Sequence, residues 1–450
     1  MKTGGENSKN KLAEELVGKF KTRRASVAVV GLGYVGLPLA VAMAKAGFNV
    51  VGIERKYDRR RMVNSGRSYI ADVPAGEIRE AVKKGRLKAV NTFKIVQKVD
   101  AVCICVPTPL KHGTKQPDLF YVRFVSQQIS KYLRKGQVIV LESTTYPGTT
   151  EEMVRPMLEK SGLKAGRDFF LAFSPERVDP GNQIFRLKNT PKIIGGLTPA
   201  CTRTASALYG QVVKKVIPVS SPRIAEMEKL LENVFRNVNI AFVNELAIIC
   251  RKMKMDVWEV IRAASTKPYG FMTFYPGPGI GGHCIPIDPF YLSWKAKKLG
   301  IKPEFIELAA RFNDHMPYYV VNILANKLRS RDNRGKKISG SKILVLGAAY
   351  KKDIADFRES PSIIIMGILM KKGARVIYND PYVRSMKIGT KRMNSVKLTD
   401  RLLKSQDAVI IATDHSKYNY RKIVDCAKIV LDTRNALHGI RADASKIIKL

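Results

Sequence analysis

Acidic residues are scarce in this sequence. Among 450 residues, 38 Asp and Glu stand against 79 Lys and Arg, which gives a formal net charge of +41. Such an excess favours solubility and attracts anions, but it does not determine a fold. The basic runs at 21–24, 59–61, 83–88 and 329–337 are scattered along the chain without a nucleic-acid recognition motif. We therefore interpret most of this charge as solvated surface and expect no specific nucleic-acid partner.

Cysteines with metal-ligand spacing are missing. The six cysteines stand at 103, 105, 201, 250, 284 and 426, and Cys103-x-Cys105 is the same-face alternation of a strand. We therefore expect no metal site and a reducing compartment. The first 24 residues also lack the apolar core of a signal peptide. The protein is predicted to be cytoplasmic.

Long apolar runs are equally rare. Residues 25–44 carry no charge and would be long enough to cross a bilayer. This stretch is interrupted by Gly31, Gly33, Gly36 and Pro38, which a strand, a turn and a buried helix explain better. No membrane insertion is expected.

The same stretch carries a dinucleotide-binding pattern. A predicted strand at 26–30 precedes the three glycines in G-x-G-x-x-G, and a helix, a second strand and Glu54 follow. Gly31 would make the tight turn, Gly33 would let the backbone approach a pyrophosphate, and Gly36 would let helix and strand pack closely. Glu54 would bind the adenosine ribose and repel a 2′-phosphate, which favours NAD over NADP. Arg55 beside it leaves NADP open.

Polar turns follow two further predicted strands, at 101–106 and 137–141. Thr108 comes after the first strand, and Ser143 and Thr144 come after the second. Ligands of open α/β sheets bind outside the carboxyl ends of the strands, so these side chains are candidate cofactor contacts. Helix capping suits Ser and Thr in such turns equally well.

Residues 223–251 contain no proline or glycine and are predicted to form one long helix with apolar residues at helical spacing. At 1.5 Å per residue the helix would extend up to ~40 Å, enough to link two domains or to pair with a copy of itself. Lys229 and Asn233 share its more polar side. Such a pair is more often solvated than functional.

Glycines and one cysteine are concentrated between residues 276 and 289, Pro-Gly-Pro-Gly-Ile-Gly-Gly-His-Cys-Ile-Pro-Ile-Asp-Pro. Glycine costs backbone entropy and packs nothing, so such a loop usually lets the backbone come close to a ligand. A tight turn with an incidental core cysteine is an alternative of equal weight.

Several motifs in a fixed order resemble one family. They are Gly-Leu-Gly-Tyr-Val-Gly-Leu-Pro from 31, Val-Pro-Thr-Pro from 106, Glu-Ser-Thr-Thr from 142, Ser-Pro-Glu-Arg from 174, Lys229 with Asn233, Gly-Gly-His-Cys-Ile-Pro-Ile-Asp from 281, and Gly-Ala-Ala-Tyr-Lys-Lys-Asp-Ile-Ala-Asp-Phe-Arg-Glu-Ser from 347. Together they resemble the nucleotide-sugar 6-dehydrogenases, the UDP-glucose/UDP-N-acetylhexosamine dehydrogenase family, over about residues 24–440. The segments 174–182 and 276–292 are most similar to the UDP-N-acetylglucosamine 6-dehydrogenase branch.

This resemblance implies a two-step oxidation of a C6 alcohol to a carboxylate, in which two NAD molecules are reduced in turn. Cys284 would trap the aldehyde as a thiohemiacetal and then carry the thioester that water hydrolyses. His283 and the local glycine backbone would lower the pKa of this thiol. Lys229 would stabilise the oxyanion, and Asp288 would orient the lysine and the water.

Three more residues complete the implied catalytic set. Asn233 would position the sugar or a water, Glu176 would transfer a proton or position water, and Thr144 would help to hold that water. The candidate cofactor contacts are Gly31, Gly33, Tyr34, Val35, Gly36, Glu54, Thr108, Ser143 and Arg358. The candidate substrate contacts are Arg177, Lys229, Asn233, Tyr275, Gly277, Gly279, Gly281, Tyr350, Lys351 and Arg434.

The expected fold is α/β, with two Rossmann-like doubly wound parallel-sheet domains joined by a central α-helical domain with one long helix. The expected segments are a basic N-terminal tail at 1–24, an NAD-binding domain at 25–220, a central helical dimerisation and catalytic domain at 221–328, a linker at 329–341 and a UDP-binding domain at 342–450. A homodimer or higher homo-oligomer is expected, as the resemblance implies.

The sugar remains open at this level. UDP-N-acetylglucosamine is the first choice, and UDP-N-acetylmannosamine, UDP-N-acetylgalactosamine and UDP-glucose share the motif set. Pro180 stands where the glucose branch has an additional glutamate, and Lys267 is near the place of that branch's arginine, which weakens the UDP-glucose alternative. A remoter alternative, suggested by the charge of +41, is a non-catalytic protein that binds nucleotides or nucleic acid.

Overall fold

The computed structural model describes residues 3–70, 72–111, 113–179, 181–182, 184–330, 335–441, 443 and 445–450, with side chains from residue 11 onward. The chain divides into two compact units. The first contains Met1–Glu232 and Trp294–Gly300, and the second contains Asn233–Ser293 and Ile301–Leu450.

An eight-stranded sheet forms the centre of the first unit within the described residues. Its spatial order is β3-β2-β1-β4-β5-β6-β7-β8, and neighbouring strands are parallel except β6 and β7. The strands are β1 Ser26–Val30, β2 Asn49–Ile53, β3 Leu87–Val90, β4 Ala101–Ile104, β5 Val138–Leu141, β6 Phe170–Phe173, β7 Lys192–Gly196 and β8 Val216–Val219. The central strands are apolar and buried throughout, as expected of strands covered on both faces.

Helices accompany this sheet. They are α1 Thr3–Lys21, α2 Gly36–Lys45, α3 Tyr57–Asn64, α4 Ala75–Lys83, α5 Phe120–Ser130, α6 Arg155–Glu159 and α7 Pro199–Tyr209, with a 3₁₀ turn at Phe93–Lys98 and a π turn at Thr150–Val154. The strand order 3-2-1-4-5-6 of the first six strands is that of a dinucleotide-binding Rossmann sheet. The carboxyl ends of β1, β2, β4 and β5 therefore meet at one edge.

The segment at 1–24, expected to be a basic tail, instead contains helix α1. Ala13, Leu16 and Phe20 are buried and join the core of the first unit. They are spaced three and four residues apart, so one face of the helix is apolar although most other positions are polar or charged. Lys19 Nζ also pairs with Asp100 Oδ1 at 2.9 Å. The narrow apolar stripe was overlooked because basic residues surround it.

The remaining helices before the second sheet are α8 Pro222–Lys252, α9 Val257–Ala264, α10 Asp288–Lys298 and α11 Glu304–Arg329. Helix α8 corresponds to the long helix predicted at 223–251. None of the helices in the described residues combines the length and the apolar character that a bilayer span requires.

The second unit contains a parallel five-stranded sheet in the order β10-β9-β13-β14-β15 and an antiparallel hairpin, β11 with β12, among the described residues. The strands are β9 Lys342–Leu346, β10 Arg375–Asn379, β11 Ser385–Ile388, β12 Lys391–Asn394, β13 Ala408–Ile411, β14 Val430–Asp432 and β15 Ile447–Lys449. The helices are α12 Pro361–Lys371, α13 Asp400–Ser405 and α14 Tyr420–Cys426. Residues of α11 and α12 share one buried core with β9 and β13.

The predicted fold class is confirmed: a parallel α/β sheet, a helical segment with one long helix and a second parallel α/β sheet follow one another along the chain. Strands β3, β8, β11, β12 and β15 were not predicted, because they are short and mostly at sheet edges. Part of the segment predicted as a linker, at 331–334, lies outside the described residues.

Candidate functional site

The turn after β1 contains three glycines, Gly31, Gly33 and Gly36. Of these three, Gly33 is the one with open space for a ligand beside it. Gly31 has φ +90°, and its N–H donates to Ile53 O at 2.8 Å. A Cβ on Gly36 would lie 1.9 Å from Gly31 O, so the start of α2 packs directly on the turn. A Cβ on Gly33 would meet no heavy atom within 4 Å. The open space beside Gly33, at the N-terminus of α2, fits a pyrophosphate.

Glu54 lies at the end of β2, on the same edge of the sheet, and is 7% exposed. Its carboxylate accepts hydrogen bonds from the N–H groups of Leu32 at 3.2 Å and Lys56 at 2.9 Å. Arg59 Nη1 lies 3.4 Å from Glu54 Oε2. These contacts fix the carboxylate against the glycine turn, where the ribose of a dinucleotide bound at Gly33 would lie.

The other candidate cofactor contacts in this unit differ in their environment. Ser143 accepts a hydrogen bond from Val106 N–H at 3.0 Å, so its hydroxyl joins the ends of β4 and β5. Thr108 is buried, and Thr144 is half-buried. Tyr34 is exposed in the glycine turn, and Val35 beside it is half-buried. The hydroxyl of Ser143 thus bonds to Val106 in the neighbouring turn and does not cap a helix.

Glu176 belongs to a buried ion network that was not recognised in the sequence. Lys192, at the start of β7, places its Nζ 2.7 Å from Glu142 Oε2 and 3.2 Å from Glu176 Oε2. Burial by itself raises the pKa of Glu176, but the charge of Lys192 and the Val178 N–H hold that pKa below its ordinary value. Lys192 carries no motif, and a lone lysine before an apolar run is not distinctive in sequence.

Arg177, a candidate substrate contact, is held by carboxylates of α8. Its Nε lies 2.9 Å from Glu232 Oε1 and 3.3 Å from Glu228 Oε1, and its Nη1 donates to Pro191 O at 3.0 Å. Burial and the neighbouring Glu232 raise the pKa of Glu228 to about 7. Most of the Arg177 guanidinium is thus bound by Glu232, Glu228 and the carbonyl of Pro191.

Lys229 and Asn233 lie one turn apart on α8 and are both buried, at 6% and 0% exposure. The solvated alternative for this pair is therefore not realised. Asn233 Nδ2 donates to Asp288 Oδ2 at 2.5 Å, and Asn233 Oδ1 accepts from Arg236. Asn233 and Asp288, two members of the implied catalytic set, are thereby in direct contact.

The loop that contains Cys284 leads into α10. The carbonyl of Cys284 accepts hydrogen bonds from the N–H groups of Ile287 at 3.0 Å and Asp288 at 2.8 Å, which form the first turn of that helix. Cys284 is exposed, unlike the buried Cys103, Cys105, Cys201 and Cys250. The Cys284 thiol is thus accessible to solvent one helical turn before the buried Asp288.

His283 was expected to lower the pKa of the Cys284 thiol, and its own protonation bears on how it could do so. Burial lowers the pKa of His283 below its ordinary value, and the charge of Arg358 lowers it further. The imidazole is therefore neutral at neutral pH.

The glycines before Cys284 let other loops of the second unit approach closely. A Cβ on Gly277 would lie 2.7 Å from Arg434 Nη1, and a Cβ on Gly281 would lie 2.6 Å from Tyr350 Cβ. Gly277 N–H donates to Asn244 Oδ1 at 2.9 Å, which fixes the loop to α8. Four candidate substrate contacts thus lie together in two pairs: Gly277 with Arg434, and Gly281 with Tyr350.

The remaining candidates of this unit lie around the same loop or near it. Gly279 adopts φ +128°, where a side chain would be strained. Tyr275 stacks on Trp258 with ring centroids 5.7 Å apart. Arg358 O accepts a hydrogen bond from Gly282 N–H at 3.0 Å, while its guanidinium pairs with Asp356 at 2.6 Å. Lys351, next to Tyr350, is half-buried.

Comparison with known proteins decides the family. The UDP-glucose/GDP-mannose dehydrogenase family matches with its NAD binding domain over residues 25–213, its central domain over 223–315 and its UDP binding domain over 344–439. The chain belongs to the UDP-glucose/GDP-mannose dehydrogenase family. It is an NAD-dependent nucleotide-sugar dehydrogenase, which confirms the predicted enzyme class and cofactor. Gly33, with its open side, and the fixed carboxylate of Glu54 fit NAD.

Relatives within this dehydrogenase family cover nearly the whole chain. The UDP-N-acetyl-D-glucosamine 6-dehydrogenase of Pseudomonas aeruginosa is 36% identical over 428 residues, which span 93% of this chain and 98% of that protein. The UDP-N-acetyl-D-mannosamine dehydrogenase of Pyrococcus horikoshii is 35% identical over 418 residues, 91% of this chain and 96% of that protein. A solved structure of a UDP-D-ManNAc dehydrogenase from Pyrococcus horikoshii has a TM-score of 0.84 at 33% identity and covers 94% of this chain and 98% of that one.

Proposed function

We propose that this dehydrogenase oxidises the C6 alcohol of a UDP-N-acetylhexosamine, with UDP-N-acetylglucosamine as the first choice, to the uronic acid. The observation that carries the proposal is the exposed Cys284 beside the hydrogen-bonded pair of Asn233 and Asp288. The choice of an N-acetylhexosamine as substrate is supported by the segments 174–182 and 276–292 and by relatives named for such substrates.

The reaction proceeds in two oxidations. NAD, when bound, accepts a hydride in each of them. After the first, the Cys284 thiolate adds to the C6 aldehyde to form a thiohemiacetal, and after the second the sulfur carries a thioester. Water then cleaves the C–S bond, which regenerates the thiolate and yields the carboxylate. One alcohol, one water and two oxidised cofactors give one carboxylate, two reduced cofactors and three protons.

Polar groups stabilise the charges that develop at C6. Lys229 stabilises the oxyanion of the thiohemiacetal, and its burial strengthens this interaction because water is excluded. Asp288 orients the lysine and the hydrolytic water. Asn233, held by Asp288, positions the sugar or that water.

Glu176 accepts a proton from the C6 hydroxyl or positions the hydrolytic water, and Thr144 helps to hold that water. The depressed pKa of Glu176 keeps it ionised, as a proton acceptor must be. In the second unit, Tyr275, Gly277, Gly279, Gly281, Tyr350, Lys351 and Arg434 contact the substrate; Arg434 places a cation suited to a phosphate.

Turnover of individual sugars tests the substrate. Purified protein is incubated with NAD and, separately, UDP-N-acetylglucosamine, UDP-N-acetylmannosamine, UDP-N-acetylgalactosamine and UDP-glucose, and the absorbance of reduced cofactor is followed. Two reduced cofactors per UDP-N-acetylglucosamine are expected. No turnover of this sugar beside strong turnover of another would exclude it.

The role of the thiol is tested with Cys284→Ser, and Cys426→Ser serves as the matched control because Cys426 lies outside the candidate site. The first variant should lose overall oxidation by at least ~10³-fold, since a hydroxyl at neutral pH is a far weaker nucleophile than a thiolate. The control should keep wild-type turnover. Full carboxylate production by Cys284→Ser would refute the covalent mechanism.

Helix α8 also supports the proposal of a homodimer. Its residues Ile224, Met227, Leu231, Phe235, Phe242 and Ile249 are 42% to 62% exposed and recur at helical spacing. A continuous apolar stripe of this kind indicates a protein interface, and a second copy of the chain is the proposed occupant. Light scattering should give twice the chain mass of 50.3 kDa, and Leu231→Glu should give the monomer mass. A wild-type monomer would contradict the dimer.

A further inference from the structure

The buried ion network of the first unit joins one ammonium, that of Lys192, to two carboxylates. Lys192 is 2% exposed and Glu142 is 1% exposed, and the two are 2.7 Å apart. A buried ammonium needs one close carboxylate to compensate its charge, and Glu142 provides it. Tyr209 on α7 donates its hydroxyl to the other oxygen of Glu142. The contact of Lys192 with a second carboxylate, Glu176, is therefore additional.

Glu176 differs from Glu142 in its access to solvent. The side chain of Glu142 has no exposed surface, whereas that of Glu176 is 14% exposed. Both oxygens of Glu176 are held: Oε2 by Lys192 at 3.2 Å, and Oε1 by the N–H groups of Arg177 at 2.9 Å and Val178 at 2.8 Å. Glu176 is thus the partly open, immobilised member of the network.

We propose that Lys192, anchored by Glu142, is a positioning residue that holds Glu176 ionised and in a fixed orientation for proton transfer. This inference rests on the proposed function, in which Glu176 exchanges a proton with the C6 hydroxyl or water. Neither Lys192 nor Glu142 contacts the reacting atoms in this proposal. They act through Glu176.

Electrostatics supports the same arrangement. Burial lowers the pKa of Lys192, but Glu142 and Glu176 outweigh burial and raise it, so the ammonium stays charged. Burial raises the pKa of Glu142, which therefore takes up a proton more readily than Glu176 does as the pH falls. The charged and titratable groups that face these two carboxyls come from β4 and the residue after it, from β7, and from α7 and α8: Cys103, Cys105, Lys192, Tyr209 and Lys229.

The pH dependence of kcat/KM tests the proposal. Lys192→Met removes the charge that stabilises ionised Glu176, so the acidic limb of the profile should move up by about one pH unit or more. Lys192→Arg keeps the charge and should restore a limb close to that of the wild type. Lys84→Met, an exposed lysine paired with Glu80 on α4, is the control and should leave the profile unchanged.

Two further variants keep the test decisive where Lys192→Met does not fold. The double variant Lys192→Met/Glu142→Gln removes the ammonium together with the carboxylate that pairs with it, so no buried charge at Glu142 loses its partner. The acidic limb of the kcat/KM profile should still move to higher pH. In Glu142→Gln alone, an isosteric change, Lys192 compensates only Glu176, and the limb should move down. A wild-type acidic limb in both of these variants would overturn the inference.

Failure of the inference is distinguishable from failure of the proposed function. Glu176→Gln tests the function directly, and at least a tenfold loss of kcat is expected at every pH. Full activity of Glu176→Gln would refute the role of Glu176 itself. A loss of activity in Glu176→Gln together with unshifted limbs in the Lys192 and Glu142 variants would refute only the positioning role.

Discussion

The two parallel sheets begin with the same turn and use it differently. In the first unit Gly31, φ +90°, follows β1, and its N–H donates to Ile53 O at the end of β2 at 2.8 Å. In the second unit Gly347, φ +87°, follows β9, and its N–H donates to Asn379 O at the end of β10 at 2.9 Å. An acidic residue follows the second strand in each case, Glu54 and Asp380. The backbone arrangement is therefore shared.

Asp380 and Glu54 differ in the groups that form hydrogen bonds with their carboxylates. Asp380 accepts hydrogen bonds from the N–H groups of Ala348, Ala349, Tyr382 and Val383, at 2.7 to 2.9 Å, and contacts His415 Nε2 at 3.0 Å. It is 3% exposed, and Ala349, two residues after Gly347, is fully buried where Gly33 faces open space. In the second turn, N–H groups of its own loop and His415 bind the carboxylate of Asp380. The same backbone arrangement thus leaves open space beside Gly33 in one unit and is filled by Ala349 in the other.

Removal of Asp380 should have the largest effect. Asp380→Ala leaves four backbone N–H groups without their acceptor. Each buried donor left without a hydrogen bond costs ~1–3 kcal/mol, so the free energy of unfolding should fall by at least ~4 kcal/mol. Urea unfolding measures the loss, with exposed Asp425→Ala as control, expected within ~0.5 kcal/mol of wild type. A loss below ~1 kcal/mol for Asp380→Ala would mean that the turn does not depend on its acid.

Gly33→Ala should act on the ligand and leave the fold intact. The methyl group would project into the open space beside the turn, so NAD affinity should fall ~10–100-fold, a binding loss of ~1.4–2.8 kcal/mol, while thermal stability changes little. Gly36→Ala is the contrasting variant, because its Cβ would lie 1.9 Å from Gly31 O and should destabilise the protein. Calorimetric titration with NAD and thermal unfolding separate the two. Unchanged NAD affinity of Gly33→Ala would place the pyrophosphate elsewhere.

Glu54→Gln should change cofactor preference by a smaller factor. Hydrogen bonds to a charged group contribute ~1.5–3 kcal/mol, so NAD should bind at least ~10-fold more weakly. NADP should gain relative to NAD, since the repelling carboxylate is gone and Arg55 and Arg59 remain nearby. The ratio of kcat/KM values for the two cofactors is the measurement. An unchanged ratio would show that Glu54 does not select the cofactor.

The smallest expected effect is the loss of stability at low pH that is caused by protonation of Asp380. Burial by itself raises the pKa of Asp380, but His415 and the surrounding N–H groups hold it below its ordinary value. A carboxyl with a depressed folded pKa contributes stability that is complete above the unfolded value of ~3.9 and is lost as the pH falls through the folded value. Stability of the wild type should therefore fall below about pH 4 by up to ~1.4 kcal/mol per pH unit for this group. Asp380→Asn should flatten that part of the urea-unfolding profile, and an equal slope in both proteins would contradict the assignment.

The sequence was most informative where chemistry requires a particular residue at a particular spacing. Gly31 and Gly36 were recognised from the G-x-G-x-x-G spacing. In the structure a Cβ added at these two positions would lie 2.6 and 1.9 Å from the backbone oxygens of Cys105 and Gly31. The long helix was found because its apolar residues recur at helical spacing over many turns. Edge strands such as β3 and β15 were missed because a few residues give too little periodicity.

Burial of polar groups could not be read in the same way. Lys229 and Asn233 lie on a face of α8 that looks polar in sequence, yet Glu226, Lys229, Asn233, Asn237 and Asn244 are all buried there, while the apolar stripe of Ile224, Met227 and Leu231 is exposed. A hydrophobicity pattern assigns polar residues to solvent, and only the partners brought by tertiary structure reverse this assignment.

By itself the sequence determined the α/β class, the dinucleotide turn, the family and Cys284 as the candidate nucleophile, because these depend on local backbone geometry and on ordered motifs. Tertiary structure alone decided that Lys192 joins Glu142 to Glu176, that Asn233 bonds to Asp288, and that four N–H groups of its own loop bind Asp380 whereas Glu54 lies beside an open turn. The physical reason is that charge compensation and desolvation depend on neighbours from distant parts of the chain. Spacing along the sequence does not specify those neighbours.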